Sequence, residues 1–267
     1  MKLQKIAEGN TAEVYSWGEN DILKLFRKDF PVGAIEKEYR VSKAIEKLGL
    51  AIPRVGDIIE YEGRTGIIYE RIEGASLLRL ISEHPWSAGR NARKIAQMHY
   101  DMHKCKAEGL PDCKEALRWG IKYEQDLSQE QKQEILNILE KLPEGSFVCH
   151  GDYHPGNIIK NYDQYIILDW MTAVAGQPSY DVARTILLLQ DASIPEEVPA
   201  FIKFVMNLVR KQIANSYLKQ YMKLSGISRE EIDAWRLPII AARLSEWIPE
   251  NEREVLRKEI SEKIGAK

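Results

Sequence analysis

The chain is poor in features that would assign a class at a glance. Among its 267 residues are three cysteines, Cys105, Cys113 and Cys149, an odd number without metal-site spacing. That argues against a disulfide framework and a zinc site, and it suits a reduced, cytoplasmic chain. No apolar run reaches membrane-spanning length, so no membrane partner is expected. The formal net charge is only −2, which gives no electrostatic reason to expect nucleic acid. Met1-Lys2-Leu3-Gln4-Lys5 leads into a short alternating strand pattern, not a signal-peptide core. There is no internal repeat and no low-complexity segment. What remains is ordinary soluble globular composition, 44% hydrophobic and 29% charged, at a length that fits one large or two small domains.

Against that background one stretch stands out. His150-Gly151-Asp152-Tyr153-His154-Pro155-Gly156-Asn157 has the form H-x-D-x-x-x-x-N, and Ile167-Leu168-Asp169-Trp170 follows it. Phosphoryl transfer from a magnesium nucleotide needs this set of groups. One carboxylate meets the attacking hydroxyl, and a second carboxylate with a carboxamide holds the metal. Phe147-Val148, Ile158-Ile159 and Ile166-Ile167-Leu168 bracket the polar residues, as short buried strands carrying acids to an edge would. A buried hairpin whose Asp and Asn satisfy turns is the plain alternative.

His150 to Trp170 resembles the catalytic segment of the aminoglycoside phosphotransferase and choline kinase-like family of small-molecule kinases. The resemblance implies an α+β, protein-kinase-like two-lobed fold. An antiparallel five-stranded N-terminal lobe (1–74) would bind nucleotide. A mainly helical C-terminal lobe (75–267) would carry catalysis and the acceptor. Protein kinases carry H-R-D and D-F-G; here Gly151 replaces that arginine, and Asp169-Trp170-Met171 replaces D-F-G.

The pattern along the chain agrees with that order. Leu3–Ala7, Ala12–Trp17 and Asp21–Phe26 alternate as strands. A helix follows from Pro31 to Gly49, then a hairpin of 55–60 and 65–70 turning at Glu62-Gly63. Helices are expected over 76–83, 87–105, 128–141, 179–190, 196–224, 228–246 and 250–264. His99 and His103 have the i, i+4 spacing of metal ligands, but without an adjacent glutamate and with Met98 and Met102 beside them they read as packing.

The resemblance then assigns roles. Lys24, flanked by Leu23 and Leu25 in its strand, would hold the nucleotide phosphates and pair with Glu38, or failing that Glu36; an edge-strand charge and a solvated helix face are the plain alternatives. Gly9, Asn10 and Thr11 would cover the phosphates, although a simple hairpin turn explains them as well. The Glu70 carbonyl and Ile72 amide would bond adenine, with Tyr69 packed behind the base. Asp152 would be the catalytic carboxylate, and Asn157 and Asp169 the Mg2+ ligands. Asp181, in Gln177-Pro178-Ser179-Tyr180-Asp181, would anchor the catalytic loop.

The function expected is ATP- and Mg-dependent phosphorylation of a hydroxyl on a small molecule, with another nucleoside triphosphate as an open donor. A catalytically inactive kinase-like scaffold is the alternative from a different class. A protein kinase fits less well, because the short interval from Asp169 to Asp181 leaves little room for an activation segment. From residue 150 onward acids and bases nearly balance. A polycationic acceptor is therefore not specifically favoured, and sugars, amino alcohols, choline-like molecules and nucleosides stay open.

Overall fold

The structure is a computed structural model that describes residues 3–191 and 199–265. Strands β1 (Lys5–Glu8), β2 (Ala12–Trp17) and β3 (Asp21–Phe26) lead into helix α1 (Val32–Glu46), then β4 (Val55–Tyr61), β5 (Arg64–Glu70) and β6 (Ala75–Ser76). Helices α2 (Leu77–Glu83), α3 (Ala88–Met102), α4 (Cys113–Tyr123) and α5 (Gln129–Lys141) precede β7 (Phe147–Cys149), β8 (Ile158–Asn161), β9 (Gln164–Ile167) and β10 (Val174–Gly176). The chain continues through α6 (Pro178–Asp191), α7 (Ala200–Ser225), α8 (Arg229–Asp233), α9 (Arg236–Arg243) and α10 (Glu250–Gly265). The first residues of the helix expected over 196–224 (196–198) lie outside the described residues.

Contacts divide the chain into two compact units: Met1–Leu80 with Pro155–Thr172, and Ile81–His154 with Ala173–Lys267. The boundary expected at 74/75 follows chain order. The contact grouping instead places 155–172 with the first unit, because β6 pairs antiparallel with β8, Ala75 opposite Lys160 and Ser76 opposite Ile159.

The first unit is built on an antiparallel five-stranded sheet in the order β1-β2-β3-β5-β4. Its β4–β5 hairpin turns at Glu62 (φ 50°) and Gly63 (φ 70°), the left-handed pair that a two-residue turn requires. Strand alternation puts Ile22, Lys24 and Phe26 on one face of β3. Phe26 packs in a core with Ala12, Ile35, Val55 and Ile67. Ile35 belongs to α1, whose buried residues Ile35, Glu38, Val41, Ser42 and Ile45 form one helical stripe. Lys24 is two residues from Phe26 along the strand, and Glu38 is one turn from Ile35 along the helix. The apolar contact therefore brings the two charged groups together.

The second unit is mainly helical, with β7 and β10 as a two-stranded antiparallel pair. Helix α6 is buried around most of its circumference, and α3 packs along α7. Trp235 is fully buried, and its indole N–H donates to Ser179 Oγ at 2.9 Å.

Two expectations need correction. The helix expected over 228–246 is two helices, α8 and α9, separated at Ala234-Trp235. Pro238 is the reason: it lacks the N–H that would bond Ala234, and its ring clashes with that carbonyl, so the helix restarts with proline in its first turn. Helix α4 has no counterpart in the expected elements. Its signal was present: Asp112 caps it by accepting the Glu115 amide at 2.9 Å, and Cys113, Leu117, Gly120 and Ile121 share its buried face.

Candidate active site

In the first unit, a cavity of about 450 Å3 opens beside β3 and β5. Lys24, Glu38, Asn157 and Asp169 line its polar part, Ile22, Ile159 and Trp170 its apolar walls, and Tyr69 to Gly74 its extended edge. Lys24 Nζ donates to Glu38 Oε1 at 2.7 Å and to Asp169 Oδ1 at 3.1 Å. Burial opposes the charge on Lys24, but Asp169 and Glu38 outweigh it and push the ammonium pKa up. Glu38 is 1% exposed. Burial raises its pKa, and Lys24 only partly offsets that. Asp169 sits at φ 59°, a left-handed conformation uncommon for aspartate, with its side chain 44% exposed. Such backbone strain persists where surrounding structure holds it, often at functional positions. Asn157 ends a tight helical turn, Pro155–Asn157, and its carbonyl accepts the Leu168 amide at 2.8 Å, which ties its backbone to the residue before Asp169.

Asp152 lies in the second unit, on the loop after β7. Gly151 takes φ 77°, open to glycine at little cost. Two α6 side chains one turn apart hold this residue by both its backbone groups. Asp181 Oδ1 accepts the Gly151 amide at 2.9 Å, and Arg184 Nε donates to the Gly151 carbonyl. Arg184 also donates to Glu246 Oε1 at 2.6 Å, and Glu246 Oε2 accepts from Arg243 at 2.6 Å. Burial would push the Asp152 carboxyl up, but His154, with its Nε2 3.6 Å away, and the charges of His150 and Arg184 hold it well below the usual carboxylate range.

Behind the loop is a buried polar network. Asp181 Oδ2 accepts the His150 amide at 2.5 Å, His99 Nε2 at 3.0 Å and His103 Nε2 at 3.2 Å. A carboxylate only accepts, so both Nε2 atoms carry hydrogen. The ring nitrogens on the other side meet tyrosine hydroxyls: His99 Nδ1, on a ring that burial keeps neutral, accepts from Tyr217, and His103 Nδ1 pairs with the Tyr221 hydroxyl, both at 2.6 Å. Burial, with His103 alongside, pushes the His99 pKa down to about 3 despite Asp181. The ligand atoms of His99, His103 and Asp181 lie within 4.8 Å of one another, a spacing compatible with a metal. Each already has a hydrogen-bond partner, so the network accounts for these residues without one.

Of the residues singled out from sequence, Lys24, Glu38, Glu70, Ile72, Asn157 and Asp169 line the same cavity. Glu36 is exposed and lies off the cavity wall. Gly9, Asn10 and Thr11 do not line it either; Ile6, Ala7 and Val14 on either side do. Arg27 holds that turn: its guanidinium bonds the Gly9 and Asn10 carbonyls at 3.1 and 2.8 Å, and its amide bonds the Thr11 carbonyl at 2.9 Å. Asp152 belongs to the other unit. Sequence reasoning gave no role to Arg184 or to the tyrosine hydroxyls. An arginine inside Val182-Ala183-Arg184-Thr185-Ile186-Leu187 was a signal, because a buried guanidinium must find partners.

A sheet lysine shared between a helix glutamate and a left-handed aspartate in one unit, and an H-x-D loop held by a buried aspartate in the other, agree with the class that the comparisons give, a kinase-like phosphotransferase. Residues 2–205 match the model of the phosphotransferase enzyme family, and the chain belongs to that family. Solved structures show the same fold. Aminoglycoside phosphotransferase APH(4)-Ia, in complex with AMP-PNP and hygromycin B, is 17% identical with a TM-score of 0.64, over 97% of this chain and 91% of that one. Amicoumacin kinase hAmiN, in complex with AMP-PNP, Ca2+ and Ami, is 15% identical with a TM-score of 0.65, over 98% and 88%. APH(3'')-Id from Streptomyces rimosus is 19% identical with a TM-score of 0.58, over 90% and 92%. No curated protein matches the sequence. Among the described residues no helix is long and apolar enough to cross a membrane.

Proposed function

We propose that the chain transfers the terminal phosphoryl group of ATP, with Mg2+, to a hydroxyl of a small molecule. The observation that carries this reading is Lys24 shared between Glu38 and Asp169 in a cavity that Asn157 also lines. A carboxylate and a carboxamide are hard oxygen donors, too few to enclose an ion by themselves. Mg2+ fits such a set, because it keeps waters and substrate phosphates among its ligands. Asp169 and Asn157 would hold it, and when bound it neutralises charge building on the phosphates. Lys24 adds a fixed cation beside them. The extended edge at Glu70 and Ile72 offers backbone groups to a purine. The neighbours' AMP-PNP favours adenine, and other family structures are solved with GDP, so guanine nucleotides belong in the test.

Asp152 is the residue for the acceptor hydroxyl. A carboxylate held well below its ordinary pKa is a weak base in the ground state. It suits a loose phosphoryl transition state, in which the hydroxyl is oriented first and its proton leaves late. The acceptor is a hydroxylated metabolite, and a protein side chain is disfavoured by the short interval from Asp169 to Asp181.

The test is purified protein with MgATP or MgGTP against a panel of sugars, amino alcohols and nucleosides, followed by phosphorus NMR. A new phosphate monoester on one panel member, formed only with magnesium, is the expected result. Label from ATP in cell extract that goes to macromolecules and not to small metabolites would overturn the reading in favour of a protein kinase. Absence of magnesium-nucleotide binding would leave a scaffold.

A further inference from the structure

Glu38 is asymmetrically served. Its Oε1 receives both Lys24 Nζ at 2.7 Å and the Tyr69 hydroxyl at 3.1 Å, while its Oε2 is buried without a partner among the described residues. Tyr69 lies in β5, immediately before Glu70 on the cavity's extended edge. The Tyr69 hydroxyl also meets Ser42 Oγ, one turn after Glu38 on α1, at 3.3 Å. Since Tyr69 donates its one hydrogen to Glu38, Ser42 is the donor in that second contact. The line Ser42–Tyr69–Glu38–Lys24–Asp169 is thus continuous, and the first unit supplies all of it.

From this we infer that Tyr69 is a positioning residue: its hydroxyl fixes the orientation of the Glu38 carboxylate and so sets where the Lys24 ammonium points. The two carboxylate oxygens are chemically equivalent, so what Tyr69 restricts is rotation of the group, holding one oxygen between its own hydroxyl and Lys24. Without it the carboxylate turns more freely, and the ammonium, already 3.1 Å from Asp169, is free to settle on that carboxylate. A lysine collapsed on Asp169 is displaced from the phosphates. This assignment rests on the nucleotide reading of the cavity and adds a second role to a residue whose ring only walls it.

The experiment separates the hydroxyl from the ring by using two probes, ATP and adenosine. Adenosine has no phosphates for Lys24 to meet. Tyr69→Phe keeps the ring, so adenosine affinity is expected to stay within about two-fold. ATP affinity is expected to fall about ten-fold, the order of one hydrogen bond to a charged group. In a Glu38→Gln background the same change is expected to have little further effect on ATP. If Tyr69 acts only as a wall, Tyr69→Phe leaves both affinities unchanged, and that result overturns the role while the nucleotide reading stands. Equal losses for ATP and adenosine overturn it also, since they mark a distorted cavity. If wild type binds neither probe, the nucleotide reading falls and the role of Tyr69 falls with it. Circular dichroism and the melting temperature of each variant show that it is folded before its affinities are compared.

Discussion

Glu38 and Asp181 are both buried carboxylates, at 1% and 0% exposure, but the chain satisfies them in opposite ways. Glu38 faces a cation that it shares with a second acid, keeps one oxygen without a partner among the described residues, and has its pKa pushed up by burial. Asp181 faces two imidazoles and two backbone amides. Burial opposes its charge, but His99 and His103 outweigh burial and hold it well below the ordinary range. On the proposed function, the difference is that between a working and a supporting group. Charge that is divided between partners can be redistributed when a phosphate arrives. A carboxylate whose oxygens are all taken by fixed donors can only hold its loop still.

The largest effect lies on the loop that Asp181 holds. Asp152→Asn is expected to lower turnover by roughly 10²–10⁴-fold, the usual share of a positioned carboxylate in proton transfer. Nucleotide affinity is expected to stay near wild type. Turnover within a few-fold of wild type on the true acceptor would sink the assignment of Asp152.

Exchanging aspartate for alanine in each cluster then tests the contrast itself. Asp181→Ala strips four donors of their acceptor and is expected to cost on the order of 3–5 kcal/mol of stability. Asp169→Ala is expected to change the urea midpoint little, because its carboxylate is partly exposed, yet to abolish magnesium-dependent nucleotide binding. Equal magnesium enhancement in wild type and the Asp169 variant removes Asp169 from the metal. An unchanged urea midpoint in the Asp181 variant removes the anchor.

Much of this contrast was legible in the sequence, and the illegible part has a physical reason. Strands β2 and β3 follow from alternation closed by polar turns, and Lys24 is conspicuous as a cation amid apolar strand residues. Its contact with Glu38 follows from the apolar stripe of α1. The support of Asp181 is different. His99 and His103 are four residues apart, and so are Tyr217 and Tyr221, each pair of partners separated by 118 positions. The matching spacing is visible, but only the packing of α3 on α7 makes it a pairing. Arg184 was obscured for a similar reason: its partners, the Gly151 carbonyl and Glu246, lie 33 and 62 residues away. The turn at Gly9-Asn10-Thr11 was the least legible part, because one glycine between two strands specifies a turn and says nothing of what the turn covers.

Acid should distinguish the clusters next. The unfolded chain protonates His99 near its ordinary value of about 6.5, while the folded chain resists protonation down to about 3. Between those values the unfolded state binds the extra proton, so stability falls as pH falls. The loss from pH 8 to pH 5 is expected to be roughly 2 kcal/mol. Asp181, with its pKa depressed, adds to the loss only as pH falls below about 4, where the unfolded carboxyl takes up its proton. Urea midpoints measured at pH 8, 6.5 and 5 report the slope. A flat profile across that range would contradict the neutral, buried imidazole.

The smallest effects sharpen the comparison most, because they use one kind of substitution in both places. Tyr217→Phe and Tyr221→Phe each leave a buried Nδ1 without its hydroxyl partner, at an expected cost of about 1–2 kcal/mol. Neither touches the cavity, so the ratio of ATP to adenosine affinity is expected to stay at the wild-type value. Tyr69→Phe should reverse the pattern, with a small change in stability and a clear change in that ratio. The reasoning is electrostatic. Around Asp181 the donors and acceptors are fixed by packing, so a lost hydroxyl is felt as an unsatisfied buried group. Around Glu38 the carboxylate still has Lys24, and the lost hydroxyl changes where the charge points more than whether it is compensated. If all three variants shift stability alike and leave nucleotide binding untouched, the distinction between a working and a supporting carboxylate fails.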